Sequence, residues 1–363
     1  MKQDIIGLLG GYCTGNLGDD AILESILVLV RRAGHQGKIM VYCHDPSPLA
    51  RQEGLVAGPM RRWNFPAVVK QARKLRGLLV GGGGLLTDYD RLLPTKLLMR
   101  TFAARLAGCR VMLCAVGVGP LMTRMGRLQA RAIASLSDIL SVRDPQSAQI
   151  LRKLGVRKPI HVVADPAFLL EPPPARLPSS DAIWAVRRWP PLGEILPWLP
   201  GQLAAAADSF CSRLNLRIAL IPFYAGYDEP FCARVHSLMH MPRSARILPR
   251  PGSASEALEL MAASPIVVSM RLHGVIFAAL AGTPRVAIAC DEKLRITMES
   301  LKLESFVLPL EPGMPADLIA STCQRAIEEQ TQARAEIESR VQHMREQAAR
   351  LGELLRQFLD LCR

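Results

Sequence analysis

Short apolar runs alternate with amphipathic stretches along this chain, the pattern of a parallel sheet covered by helices. In the first half the runs predict strands at Ile5–Leu9, Ile39–Cys43, Leu78–Val80, Val111–Val116, Ile139–Val142 and His161–Val163. The amphipathic stretches between them predict helices, among them Asp19–Arg32, Pro94–Ala107 and Pro145–Leu154. From Glu171 to Ser180 the chain then places four prolines in ten residues. Proline fixes φ and removes a backbone donor, so this stretch continues neither sheet nor helix and marks a domain boundary.

A second alternating series follows, with strands expected at Ala182–Val186, Arg217–Ile221, Ile266–Ser269 and Arg285–Ala289 and helices such as Ser255–Ala263 and Leu272–Ala281. The chain therefore reads as an α/β protein of GT-B type, two Rossmann-like domains whose parallel sheets face a central cleft. The expected division is an N-terminal domain over 1–170, a linker over 171–180, a C-terminal domain over 181–312 and a helical tail over 313–363. In that tail Ile337, Val341, Met344, Ala348, Leu351, Leu355 and Phe358 fall on one helical stripe. Such a stripe either docks the last helix on the body or joins two copies as a homo-oligomer. Docking is favoured, because about three heptads without matched flanking charges make a weak coil.

Composition narrows the partners. The 363 residues are 49% apolar, and Lys plus Arg exceed Asp plus Glu by 45 to 32, a formal net charge of +13. That balance asks for anions: nucleic acid, an acidic membrane face or phosphorylated metabolites. Aromatic residues are only 5% of the chain and do not interleave with Lys and Arg, which argues against nucleic acid. The nine cysteines are scattered without a CxxC pair, so no metal site is expected and the thiols read as reduced. With no signal-peptide pattern after Met1, a cytoplasmic protein is expected. No uncharged stretch, Val111–Thr123 included, is long enough to cross a bilayer, so membrane contact is expected to be peripheral, at an anionic inner face.

Candidate chemistry lies just after the strands. Gly10-Gly11-Tyr12-Cys13-Thr14-Gly15-Asn16-Leu17-Gly18-Asp19-Asp20 is glycine-rich but lacks the G-x-G-x-x-G spacing of a dinucleotide site. Asp19 reads equally as a helix N-cap and as a catalytic carboxylate. Gly81-Gly82-Gly83-Gly84 strips side chains from a strand end, leaving room for a ligand or for tightly packed neighbours, and the ligand is favoured. Gly15, Asn16, Gly18, Gly82, Gly83 and Gly84 are thus expected to line the cleft. Arg143, in Ser141-Val142-Arg143-Asp144, is placed to bind carboxylate or phosphate, with an internal pair to Asp144 as the competing role. Arg187 and Arg188, beside Trp189, either line the cleft or form a solvated strand end. The sharpest motif is Ser269-Met270-Arg271-Leu272-His273-Gly274, where Arg271 and His273 meet the N-terminus of an apolar helix, a place that favours anions. Histidine there can move a proton near neutral pH. Lys293, in Asp291-Glu292-Lys293, can bring an ammonium to the same pocket.

Together and in this order, Gly15-Asn16-Leu17-Gly18-Asp19-Asp20-Ala21, Gly82-Gly83-Gly84-Leu85, Ser141-Val142-Arg143-Asp144, Asp165-Pro166-Ala167 and Arg271-Leu272-His273-Gly274 resemble the polysaccharide pyruvyl transferase family. Within it the chain resembles the branch that modifies cell-wall polymers of bacteria with surface-layer proteins. The resemblance implies phosphoenolpyruvate as donor, no further cofactor, and a sugar acceptor, often N-acetylmannosamine on a lipid-linked precursor, closed into a 4,6-ketal. It implies donor roles for the residues at Arg143, His273 and Lys293. The chain departs from the family's usual strings at Asp20, where Glu is common, and around Cys290-Asp291-Glu292-Lys293.

On that reading Arg143, Arg271, Lys293 and the helix N-terminus at Leu272 bind the donor, His273 is the acid and Asp19 the base. Two rivals remain: a nucleotide-sugar glycosyltransferase with the same fold, and a non-catalytic protein that binds anionic glycans.

Overall fold

The computed structural model describes residues 4–43, 45–49, 52–60, 64–90, 92–172, 174, 179, 181–190 and 196–363. The chain divides into two compact units, one of residues 1–169 with 345–363 and the other of residues 170–344. Most of the expected proline-rich linker, 171–180, lies outside the described residues.

Unit 1 runs β1 (Ile5–Leu9), α1 (Leu17–Arg32), β2 (Lys38–Cys43), β3 (Leu55–Pro59), α2 (Phe65–Ala72), β4 (Gly77–Leu86), α3 (Leu92–Leu106), β5 (Arg110–Val118), α4 (Arg124–Leu136), β6 (Ile139–Val142), α5 (Pro145–Lys153) and β7 (His161–Val162). Its seven strands form one sheet in the order β3-β2-β1-β4-β5-β6-β7, with every pairing parallel. Parallel strands need crossover helices, and these bury both sheet faces, so β1, β4 and β5 are apolar almost throughout. Helices α2, α3 and α4 pack side by side. The right-handed crossover rule puts them on the face opposite α1.

Unit 2 continues with β8 (Asp181–Ala185), α6 (Leu199–Leu214), β9 (Arg217–Leu220), α7 (Asp228–Ser237), β10 (Ala245–Ile247), α8 (Ala254–Ala262), β11 (Val267–Ser269), α9 (Leu272–Leu280), β12 (Arg285–Ala289), α10 (Glu292–Ser300), β13 (Val307–Pro309) and α11 (Ala316–Gln332). Its sheet has the order β10-β9-β8-β11-β12-β13, again parallel throughout. Trp184 of β8 is fully buried and meets Phe210 of α6 edge-on, with ring centroids 5.5 Å apart.

The tail forms α12 (Arg334–Ala349) and α13 (Leu351–Leu361). All seven residues of the predicted stripe, from Ile337 to Phe358, are buried. The last helix docks on unit 1, where α13 packs on α1, β5 and β6. A Cβ at Gly77 would lie 2.6 Å from the Phe358 ring, so the glycine opening β4 makes room for that ring. The tail is therefore not a separate segment: its final nineteen residues, 345–363, complete the first unit.

Candidate active site

In both sheets the strand order reverses once, between β1 and β4 in unit 1 and between β8 and β11 in unit 2. Open α/β sheets bind ligands at such a reversal, outside the carboxyl ends of the strands, because the diverging connections leave a crevice.

In unit 2 the reversal carries the Arg271 motif. Ser269, the last residue of β11, accepts a hydrogen bond from the Arg271 N–H (3.0 Å), and its hydroxyl donates to the Arg271 carbonyl (2.7 Å). This tight turn delivers the chain straight into α9, whose N-cap position is Arg271 and which has no side-chain cap. Gly274 is required by the same turn: a Cβ there would stand 2.3 Å from Ser269 Oγ and 3.4 Å from Ala185 Cβ. Alanine in a helix ordinarily gains up to about 1 kcal/mol over glycine. Gly274→Ala is expected to do the opposite and cost about 1–3 kcal/mol, because it overpacks the turn and breaks the serine bonds. A denaturant midpoint at or above that of the unsubstituted protein would show that the turn yields.

Arg271 is buried and donates through Nη2 to Asp228 Oδ1, and its guanidinium lies 5.9 Å from the centroid of the Tyr224 ring. Asp228 opens α7 and is fully buried, with Oδ2 accepting from the Phe223 and Tyr224 N–H groups at 3.0 and 2.9 Å. Its carboxylate is therefore held by two backbone donors as well as by the arginine. The arginine's Nε is buried with no hydrogen-bond partner among the described residues, so it keeps a donor unspent.

Arg187 and Arg188 follow β8, the strand beside β11. Burial and then the neighbouring Arg271 charge lower the pKa of Arg187, against Cys290, Asp291 and Asp228, which raise it. Arg187 stacks on Trp189 (5.3 Å) and Arg188 on Tyr227 (5.9 Å), and Tyr227 in turn stacks on Tyr224 at 4.4 Å. Like Arg271, Arg187 has a buried Nε without a partner among the described residues. Half-buried His273 lies in the first turn of α9, its ring 6.2 Å from that of Phe277.

Asp291 caps α10 by accepting from the N–H groups of Lys293 (3.1 Å) and Leu294 (3.3 Å), which puts Lys293 in the first turn, half-buried. Burial pushes the Cys290 thiol up to about 12, so it is no nucleophile near neutral pH. Asp228, Tyr224 and Tyr227 were not picked out from the sequence. The available signal was an acid opening a helix directly after Tyr224-Ala225-Gly226-Tyr227 at a strand end.

In unit 1 the reversal carries the two glycine-rich motifs. The N-cap of α1 is Asn16, whose Oδ1 accepts from the Gly18 N–H at 3.3 Å, so Asp19 does not have that role. Asn16 Nδ2 donates to Asp19 Oδ2 (2.7 Å), and Asp20 Oδ1 accepts from the Cys13 N–H (3.1 Å). The Asp19 carboxylate lies against two glycines: a Cβ on Gly11 would be 2.9 Å from Oδ2, and one on Gly83 would be 3.0 Å from Oδ1. Gly15, at φ 83°, turns the chain into α1, and Gly18 sits buried in its first turn.

The glycine run does not end a strand as expected. β4 continues to Leu86, with Gly82 and Gly83 in the left-handed region (φ 74° and 85°) and a register irregularity against β5 between Gly83 and Leu86. A Cβ at Gly81 would be 2.0 Å from the Cys114 carbonyl oxygen, and one at Gly82 would be 2.1 Å from Ile22 Cγ2. These two glycines admit β5 and α1, and half-buried Gly84 follows them. The Tyr12 hydroxyl donates to the Gly81 carbonyl. Burial, then Cys114, Asp19 and Asp165, holds that phenol well above its usual pKa.

Arg143 follows β6 with its side chain 5% exposed. Nη1 donates to Asp165 Oδ2 at 2.9 Å, and Nε lies 3.7 Å from Asp144 Oδ2. Its main partner is thus a carboxylate 22 residues away, not the adjacent Asp144, which caps α5 through the Ser147 N–H (2.6 Å). Gly117 leaves space for the guanidinium, since a Cβ there would be 2.7 Å from Nε.

Among the described residues no group of three or more His, Cys, Asp or Glu side chains is placed to hold a metal ion, and no helix is long and apolar enough to cross a membrane.

The architecture has solved counterparts. A protein of Anabaena, Alr3699/HepE, in complex with UDP-glucose superposes with a TM-score of 0.65 at 13% identity, covering 98% of this chain and 99% of that one. The UDP-GlcNAc 2-epimerase of Neisseria meningitidis bound to UDP-GlcNAc gives 0.63 at 12% identity, with 99% of each chain covered. A glycosyltransferase of Rickettsia africae gives 0.62 at 11% identity, covering 99% of this chain and 98% of that one. At such identities the likeness is one of fold, and the fold is GT-B. A search of curated protein sequences finds no match. The family model for polysaccharide pyruvyl transferase matches residues 16–292, a span from the cap of α1 to the start of α10 that takes in Asp19, Arg143, Arg271 and His273. The chain belongs to the polysaccharide pyruvyl transferase family.

Proposed function

We propose that this transferase moves the pyruvyl group of phosphoenolpyruvate onto a sugar, closing a 4,6-ketal and releasing phosphate. The acceptor in this reading is N-acetylmannosamine of a lipid-linked cell-wall polymer precursor. The observation that carries the reading is the pair of mostly buried arginines at the reversal of unit 2, Arg187 and Arg271, each with a buried Nε that has no hydrogen-bond partner among the described residues. Those unspent donors suit an anion, and phosphoenolpyruvate brings both a phosphate and a carboxylate. Lys293 adds an ammonium, and the uncapped N-terminus of α9, opening at Leu272, adds oriented N–H dipoles.

In this mechanism His273 protonates the methylene carbon, making a methyl group and an oxocarbenium-like centre at C2. A sugar hydroxyl adds there and gives up its proton. The bond from C2 to the phosphate oxygen breaks, phosphate leaves, and the second hydroxyl closes the ketal. Of the two hydroxyl protons, one restores His273 and the other departs with phosphate.

Phosphoenolpyruvate at a hundred times its Kd should stabilise the protein by about 2.7 kcal/mol, read as a rise in Tm, because it binds only the native state. Phosphate release should then depend on the acceptor. Turnover of a UDP-sugar in place of phosphoenolpyruvate would make the chain a glycosyltransferase instead. Glycan binding with neither reaction would make it a binding protein.

A further inference from the structure

Helices α3 and α4, with Met122 in the segment that leads into α4, carry apolar side chains that the core does not use. Leu106 is 58% exposed, Met122 68%, Met125 60% and Leu128 60%, with Leu92 and Phe102 exposed alongside. Between the two helices lies a groove of about 540 Å³, walled by Leu98, Met99 and Phe102 of α3 and Ala132 and Leu136 of α4. Single exposed apolar residues need no explanation, but a set of them flanking an apolar groove marks a docking surface.

The charges say what docks. Arg124, Arg127 and Arg131 are exposed along α4, one turn apart, beside Met125 and Leu128. Neither α3 nor α4 contains an Asp or Glu. The first acid after α4, Asp138, is already held by Arg105 (2.7 Å) and Arg110 (3.2 Å). A second copy docked face to face would oppose two wholly basic surfaces, which repel. Apolar side chains flanked by arginines, with no acid on either helix, instead fit the headgroup region of an anionic bilayer, where tails enter and guanidiniums meet phosphates.

We propose that the α3–α4 face of unit 1 docks on the surface of an anionic lipid bilayer. Leu106, Met122, Met125 and Leu128 enter the headgroup region, and Arg124, Arg127 and Arg131 meet the lipid phosphates. This placement goes beyond the proposed reaction and stands without it.

The test is sedimentation of the full chain with phosphatidylcholine vesicles, with and without phosphatidylglycerol. Binding is expected only with phosphatidylglycerol, and it should weaken steeply as salt rises. Arg124→Ala with Arg131→Ala should lower the partition roughly thirty-fold, at about 1 kcal/mol per basic residue near the surface. Met125→Ser with Leu128→Ser keeps the charge and should still lower it about tenfold or more. All four positions are exposed, so the variants should melt with the unsubstituted protein. No sedimentation with phosphatidylglycerol vesicles at low salt would overturn the proposal. So would binding that both double variants retain. Vesicle-free self-association abolished by Leu128→Ser would overturn it too, by making a second copy the occupant.

Discussion

His273→Gln is expected to lower kcat by about 10²–10⁴ at saturating phosphoenolpyruvate, the usual contribution of a positioned proton donor. Glutamine keeps a hydrogen-bonding group of similar reach but cannot deliver a proton to carbon. The fold should survive the change, because His273 is half-buried in the first turn of α9, and the turn beneath it is built by Ser269 and Gly274. Donor affinity must be measured beside turnover, since an imidazolium could also hold phosphate. Arg271→Lys should differ, weakening donor binding because an ammonium lacks the planar two-point contact. It should also weaken the pair with Asp228. Turnover of His273→Gln near that of the unsubstituted enzyme would remove the histidine from proton transfer and leave it a binding or packing role.

Arg143→Ala should cost about 3–5 kcal/mol of stability, because it removes the cation that pairs with a buried carboxylate at 2.9 Å. Asp165 is 5% exposed, and its Oδ1 accepts from the Ala167 N–H (3.0 Å). Against a typical total of about 5–15 kcal/mol, that loss should show directly in the urea midpoint. Removing both charges, as Arg143→Leu with Asp165→Leu, should recover much of the loss, since no ion is then left buried unpaired. An Arg143→Ala protein as stable as the unsubstituted one, but with a weaker thermal shift from phosphoenolpyruvate, would move the arginine from internal pairing to donor binding.

The two arginine motifs show how far the residues alone could be read. Arg143 and Arg271 each look like an anion binder at the end of a buried strand, and each comes with a buried aspartate, Asp165 and Asp228. Those aspartates lie 22 and 43 residues away in sequence, so local pattern gives no sign of either pair. The adjacent Asp144 drew attention instead, and it turns out to cap a helix. The central strands were legible because burial on both faces makes them continuous apolar runs. β3, β10 and β13 were missed: each is an edge strand, two end in proline, and β10 is three residues long with a charged residue at its centre.

The sequence by itself determined the parallel α/β architecture in two series, the amphipathic stripe of the tail and the family motif around Arg271 and His273. These are local properties: hydrophobic period, proline breaks, and short strings at strand ends. Only the tertiary structure decided where the tail returns, because a stripe fits any apolar face of matching width and it is Gly77 and β5 that receive Phe358 and α13. It also decided what the glycines are for. A run without side chains admits a ligand or a neighbour equally well, and at Gly81 and Gly82 the space is taken by Cys114 and Ile22, brought there by strand pairing and by the packing of α1.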